Sequence, residues 1–248
     1  MTDTHAHLDA CDEQASELVE RAHAAGVTRI VTIGTGIDSC RAALAIAGDH
    51  EGVYAALGID PHRAATPEAG RLDELRELLS HPKAVAVGET GLDGVGQHAP
   101  PADQRRVFDV QLALADDLDL PVVVHSREAA DETADALASF GGTVILHCFS
   151  SPALLPVALE RGYFVSFAGN VTYPKADDLR GAAAEIPAER ILAETDSPYL
   201  APQPVRGRPN EPAYLVHTID VLAAARGDDR DELAARLHEN AAVAFGLP

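Results

Sequence analysis

The strongest constraint on how this chain can fold is a repeated alternation of two patterns. Short apolar runs rich in β-branched residues occur at positions 2–8, 29–34, 53–59, 84–89, 121–125, 143–147, 163–167 and 191–195. Each is followed by a longer stretch with helical spacing, at 13–25, 38–49, 72–80, 103–117, 128–140, 152–160 and 175–185, and then at 211–225 and 230–245. Neighbouring parallel strands need a crossover of about helix length. Eight strand-plus-helix units in 248 residues match the rhythm of a (β/α)8 TIM barrel, an α/β fold. A doubly wound sheet usually has fewer strands and opens on a Gly-rich phosphate loop, and Ile33-Gly34-Thr35-Gly36 is too short to be one. No linker, internal repeat or low-complexity tract breaks the alternation, so residues 1–248 are read as one domain.

Barrels of this kind build their sites at the C-terminal ends of the strands. Here those ends carry nitrogen and oxygen ligands. The first strand ends in His5-Ala6-His7, the fourth in "AVAVGETGLD" with Glu89 at its tip, and the fifth in "PVVVHSR" with His125. The sixth ends in "TVILHCFS" with His147, and the eighth in "ILAETDSP" with Asp196. Side chains alternate along a strand. Val85, Val87 and Glu89 should therefore share a face, as should Val123 with His125, Ile145 with His147, and Leu192 with Glu194 and Asp196. Each polar residue then tops an inward apolar row. A histidine at one strand tip is unremarkable; five tips carrying metal-ligand residues describe a site assembled from the whole chain.

Four imidazoles and two carboxylates with no thiolate suit zinc, manganese, or magnesium with retained water. Six side chains exceed one tetrahedral ion, so two divalent metals are expected, with Glu89 as the bridge. Paired metals activate water and stabilise a leaving oxygen in ester or phosphodiester hydrolysis. Asp196 is the candidate acceptor of the water's proton. Asp3 and Glu194, one layer lower, are expected to orient imidazoles. Cys148 is expected to face outward, under a helix. His23, His50, His81, His98, His217 and His238 fall away from strand tips and receive no role.

Substrate contacts are expected from the loops above the site. "GIDPHR" offers His62, "HSR" offers Arg127, and "SPYLAPQPVRGRPNEP" at 197–212 offers Arg206 and Arg208 on a proline-stiffened loop. Arginine suits bidentate recognition of phosphate. The formal net charge of −20 argues against a protein that coats a polyanion and leaves binding to such local cations. Three cysteines at unrelated spacings give neither a disulfide framework nor a thiolate zinc site, which points to a cytoplasmic setting. No apolar run is long enough to cross a membrane.

Taken in order, "DTHAHLD", "GETGLD", the Gln104, Phe108, Gln111 trio, "LPVVVHSR", "LHCFS", "VSFAGNVTYPKA", "ILAETDSPYLAP" and "RGRPNEP" resemble the motifs of the TatD family of metal-dependent hydrolases, over nearly the whole chain. The resemblance implies a TIM barrel and two divalent ions held by His5, His7, Glu89, His125, His147 and Asp196. It also implies deoxyribonuclease activity, with phosphate contacts at His62 and Arg127. DNA, at strand ends or single-stranded, is then the expected partner of a monomer or weak oligomer. An ester substrate such as D-aminoacyl-tRNA, or a metal-binding scaffold without catalysis, are the alternatives. The chain departs from the family pattern at Asp60, where a His is usual, and at Gly94, where a Tyr is usual. It departs again at Ser151 for Gly and at Pro209 for a basic residue.

Overall fold

The computed structural model describes residues 1–96 and 98–248. Eight parallel strands run in the order of the sequence: β1 (Thr2–Ala6), β2 (Arg29–Gly34), β3 (Val53–Leu57), β4 (Ala84–Asp93), β5 (Val122–Arg127), β6 (Val144–Leu146), β7 (Phe164–Phe167) and β8 (Ile191–Ala193). Helices α1 (Ala15–Ala24), α2 (Ile37–Asp49), α3 (Leu72–Leu79), α4 (Pro101–Leu118), α5 (Ala130–Leu137), α6 (Leu155–Arg161) and α7 (Asp177–Glu185) connect them. Then α8 (Leu215–Arg226) and α9 (Arg230–Phe245) follow the last strand. The ring closes through the segment after β8. Asp196 donates its N–H to the His5 carbonyl at 2.8 Å, and His7 donates to the Ser197 carbonyl at 2.7 Å. The expected TIM barrel is thus the observed fold.

Two apolar layers hold it. The inner one fills the barrel with Val31, Ile33, Ala56, Val85, Val123, Ile145, Phe164 and Leu192. Helix α9 plugs its N-terminal end by adding Ala241, Ala244 and Phe245 to that cluster. Asp229 starts this helix by accepting the N–H groups of Asp231 and Glu232, which satisfies donors a helix end leaves orphaned. The outer layer, between strands and helices, contains Leu57, Val87, Val122, Val124, Phe108 and Phe167. With the lower end sealed, the upper end is the side left for chemistry.

Strand β4 departs from simple alternation. Val85 joins the inner layer and Val87 the outer one, so the two do not share a face as their parity predicts. The reason is an extra residue: Ala55 pairs with Ala84 but Ala56 with Ala86. A second slip lies between Val87 and Thr90, against β5. Gly88 and Gly91 carry it with φ of +145° and +137°, a region that glycine enters freely. A Cβ at Gly91 would lie 2.0 Å from the His125 carbonyl oxygen, so only glycine lets the two strands approach there. Beyond the slips the strand continues to Asp93, four residues past the expected tip at Glu89.

Candidate active site

The sequence-predicted ligands meet at the upper end of the barrel. His5 Nε2 and His7 Nε2 are 3.2 Å apart. Glu89 Oε2 lies 3.6 Å from the first and 3.8 Å from the second, and Asp196 Oδ1 lies 3.7 and 3.3 Å from them. On the other side, Glu89 Oε1 is 2.8 Å from His125 Nδ1 and 3.0 Å from His147 Nε2, which are 3.2 Å from each other. Ligand atoms around one tetrahedral ion with bonds of 2.0–2.1 Å sit about 3.3–3.4 Å apart. The first group brackets that spacing and the second is somewhat tighter, and the two Glu89 oxygens face one group each. His5, Glu89 and His147, and likewise His5, His7 and Asp196, each offer ligand atoms lying within 4.8 Å of one another.

Burial and mutual charge set the protonation of these groups. Glu89 is buried, which alone would raise its pKa, but the imidazoles of His147, His125 and His5 hold it well below the usual carboxylate range. Asp196 is lowered in the same way, against burial, by His7 and His5. His125 is pushed up to about 9: Asp93 and Glu89 outweigh the burial that opposes its charge. Deprotonation of His125 therefore has to accompany metal binding, whereas burial and the neighbouring His147 already lower the pKa of His5.

Around this centre lie groups that position it. Glu194 Oε1 accepts the Cys148 N–H at 2.6 Å and lies 3.4 Å from His147 Nδ1, so its charge reaches the ring without a hydrogen bond to it. Asp3 does something else. Its carboxylate accepts the Thr195 N–H at 2.9 Å and the Thr195 hydroxyl at 2.6 Å, which locks the end of β8 to β1 rather than touching a ring. Cys148, with φ of +45°, does not face outward under a helix: it lines the cavity beside His147 and Asp196.

Asp93 is the positioning residue that parity at Glu89 could not reveal. Its Oδ2 lies 3.1 Å from His125 Nε2, and 3.5 Å from His62 Nε2. Arg127 Nη1 stands 4.0 Å from the same oxygen. The signal was present in "GETGLD", since a carboxylate four residues past Glu89 on a strand that runs on must also reach the mouth. Gln104, on α4, holds Asp93 by accepting its N–H at 2.8 Å. Gln111, about two helical turns further along, accepts the Ile59 N–H at 2.8 Å and donates to Thr90 at 2.7 Å. The Gln104, Phe108, Gln111 trio thus clamps the strand ends from behind.

The mouth is a cavity of about 810 Å³, the size of small-molecule sites. His62, Arg63, His98, Arg127, Asp9, Asp60 and Tyr199 line it together with the central ligands. Arg206 and Arg208 do not. The Arg206 guanidinium lies 3.9 Å over the Tyr173 ring, where a cation–π contact holds it outside the cavity. His98, given no role by its position in the sequence, does line the site, with its ring 5.1 Å from that of His62.

Residues 2–246 match the family model described as TatD related DNase. The chain belongs to the TatD family. Metal-dependent hydrolase TatD of Mycobacterium tuberculosis is 40% identical over 260 residues, covering 100% of this chain and 98% of the relative. The 3'-5' ssDNA/RNA exonuclease TatD of Erwinia amylovora is 37% identical over 241 residues, covering 93% of each. Among solved structures, the TatD homologue YjjV of Escherichia coli superposes with a TM-score of 0.94 at 33% identity, covering 100% of this chain and 98% of that one. Like its TatD relatives, this chain is a hydrolytic enzyme. No helix among the described residues is long and apolar enough to cross a membrane.

Proposed function

We propose that this TatD-family hydrolase cleaves phosphodiester bonds at accessible or single-stranded ends of DNA, using two divalent ions. His5, His7 and Asp196 would hold one ion, His125 and His147 the other, and Glu89 would bridge them. The observation that carries this reading is the Glu89 carboxylate, whose Oε2 faces His5 and His7 while Oε1 faces His125 and His147. Bound there, divalent ions supply charge stabilisation and water activation for in-line displacement at phosphorus. The all-nitrogen-and-oxygen donor set accepts magnesium, manganese or zinc.

The chain's own residues do the rest. Asp196 accepts the proton of the attacking water, since its carboxylate is held ionised and opens on the cavity. Asp93 fixes the His125 ring through Nε2, leaving Nδ1 for the ion. Arg127, 57% exposed at its side chain, and His62 hold the substrate phosphate from the rim. The names borne by relatives from Erwinia amylovora and Klebsiella pneumoniae, 3'-5' ssDNA/RNA exonuclease TatD, support a nucleic-acid substrate.

The test is hydrolysis of end-labelled single-stranded, duplex and closed circular DNA by chelator-stripped enzyme, before and after manganese or magnesium is restored. A neutral carboxylic ester and a D-aminoacyl ester are assayed beside them. Metal-dependent shortening of the single strand, with circles resistant, is the expected result. Ester cleavage without phosphodiester cleavage would reject the DNA reading.

A further inference from the structure

Tyr199 stands apart from everything else around the cavity. Among the described residues that line it, Tyr199 is the only phenylalanine or tyrosine, and the rest are mostly ionisable or small. The residue is 56% exposed, although aromatic surface gains most from burial. It is not loosely held. Its N–H donates to the Asp196 carbonyl at 2.8 Å, and its own carbonyl accepts from Asn210 Nδ2 at 2.7 Å. Asn210 is buried and also binds the Thr195 carbonyl at 2.7 Å, so it ties the Tyr199 backbone to the end of β8. The ring meets His7 edge to face, with centroids 5.7 Å apart, one side chain away from the Asp196 carboxylate. The polar groups of His62 and His98 lie on the segments after β3 and β4, and the Arg127 guanidinium ends β5, so none shares the Tyr199 segment. No ring can replace Tyr199 from Gly94, where a Cβ would lie 2.4 Å from the Glu128 carbonyl oxygen.

We propose that Tyr199 is the platform on which the nucleobase next to the scissile phosphodiester stacks. The proposal rests on the phosphodiesterase reading above and specifies how that site takes hold of its substrate. Every base offers a π face, so a lone ring grips without reading sequence. A base paired inside a duplex is already stacked and cannot lie on Tyr199, which makes the ring a selector for unpaired ends. Arg127 and His62 then take phosphate charge while Tyr199 takes the apolar face of the base.

The experiment compares two single-stranded oligonucleotides that differ only in whether the terminal nucleotides carry bases or are abasic. Rates are measured with holoenzyme for wild type, Tyr199→Ala and Tyr199→Phe. In parallel, quenching of a terminal 2-aminopurine is followed with chelated protein, where no cleavage intervenes. Wild type should favour the base-bearing end by roughly 5- to 140-fold in kcat/KM, the range that one stacked base provides. Tyr199→Phe should keep that preference and the quenching, while Tyr199→Ala should bring the preference close to unity and lose the quenching. Cleavage by Tyr199→Ala with the wild-type preference intact would overturn the stacking role and leave the nuclease reading standing. Wild-type enzyme that cuts neither oligonucleotide would overturn both.

Discussion

Asp93 Oδ2 lies 3.1 Å from His125 Nε2, on the edge of the ring opposite the Nδ1 that meets Glu89. A carboxylate in that position fixes the tautomer and raises the basicity of the nitrogen that faces the ion. Asp93→Asn keeps an oxygen for the N–H groups of Val95 and Gly96, which Asp93 Oδ1 accepts at 2.8 and 2.7 Å. The loop should therefore survive while the charge disappears. Metal affinity should fall roughly 10- to 100-fold. Calorimetric titration with manganese measures it, and an unchanged affinity would remove Asp93 from the account.

Asp196→Asn should lower turnover by about 10²–10⁴-fold while changing KM little, because the carboxylate accepts a proton rather than holding the substrate. His125→Ala leaves the proton acceptor in place but removes a ligand outright, so it should lower the amount of metal retained more than Asp196→Asn, whose amide still offers an oxygen. Steady-state kinetics at saturating manganese, with bound metal counted on the same samples, separates the two. Wild-type turnover in Asp196→Asn would reject the assigned role.

Arg127→Ala and Arg206→Ala test where the substrate phosphate sits. Arg127 lines the cavity, whereas Arg206 lies on Tyr173 outside it. A charge-assisted hydrogen bond is worth about 1.5–3 kcal/mol, and the exposure of Arg127 places it at the lower end, or about 10-fold in KM. The KM of a phosphodiester should rise by that factor in Arg127→Ala, with little change for a neutral ester. Arg206→Ala should leave both near wild type. The reverse order would move the phosphate to the proline-rich loop.

The barrel and the clustering of His5, His7, Glu89, His125, His147 and Asp196 at its mouth were legible in the sequence because both are written as period. An inward apolar row that ends in His or Asp gives fold and site at once, as in Ile145 with His147. The positions that escaped are those where period fails. On β4 an extra residue at 84–86 and the glycine-borne slip at 88–91 overturn the parity of Val85 and Val87, and hide the continuation to Asp93. Cys148 faces the cavity because its backbone turns left-handed, which alternation cannot foresee. Asp3 is one layer below the site as expected, yet the nearer donors of Thr195 claim it. The lateral path of the 197–212 loop is set by contacts such as Arg206 on Tyr173, and no local pattern encodes them.

Asp60 provides a test by pH. Burial lifts its pKa from 3.8 to about 7, and the neighbouring Glu89 adds to the shift. The folded chain thus keeps a proton there that the unfolded chain has lost. Stability from this group is present below about 4 and declines as pH rises through the window to about 7. Asp60→Asn retains an oxygen for the Arg63 N–H that Asp60 caps at 2.9 Å. In chelated protein the variant should match wild type at pH 4 and exceed it by about 2–4 kcal/mol at pH 8. Denaturant melts at the two pH values measure this, and a constant offset would show that Asp60 does not titrate in the fold.

The central claim is that one carboxylate, Glu89, organises two ions. Its most direct test is a single titration of metal-stripped enzyme with manganese, recording bound metal by equilibrium dialysis and phosphodiester hydrolysis in the same samples. About two equivalents should bind per chain, with the rate rising as the second one fills. Glu89→Gln should weaken both, because Oε1 and Oε2 face different imidazole pairs. Full activity with one equivalent or none would contradict it.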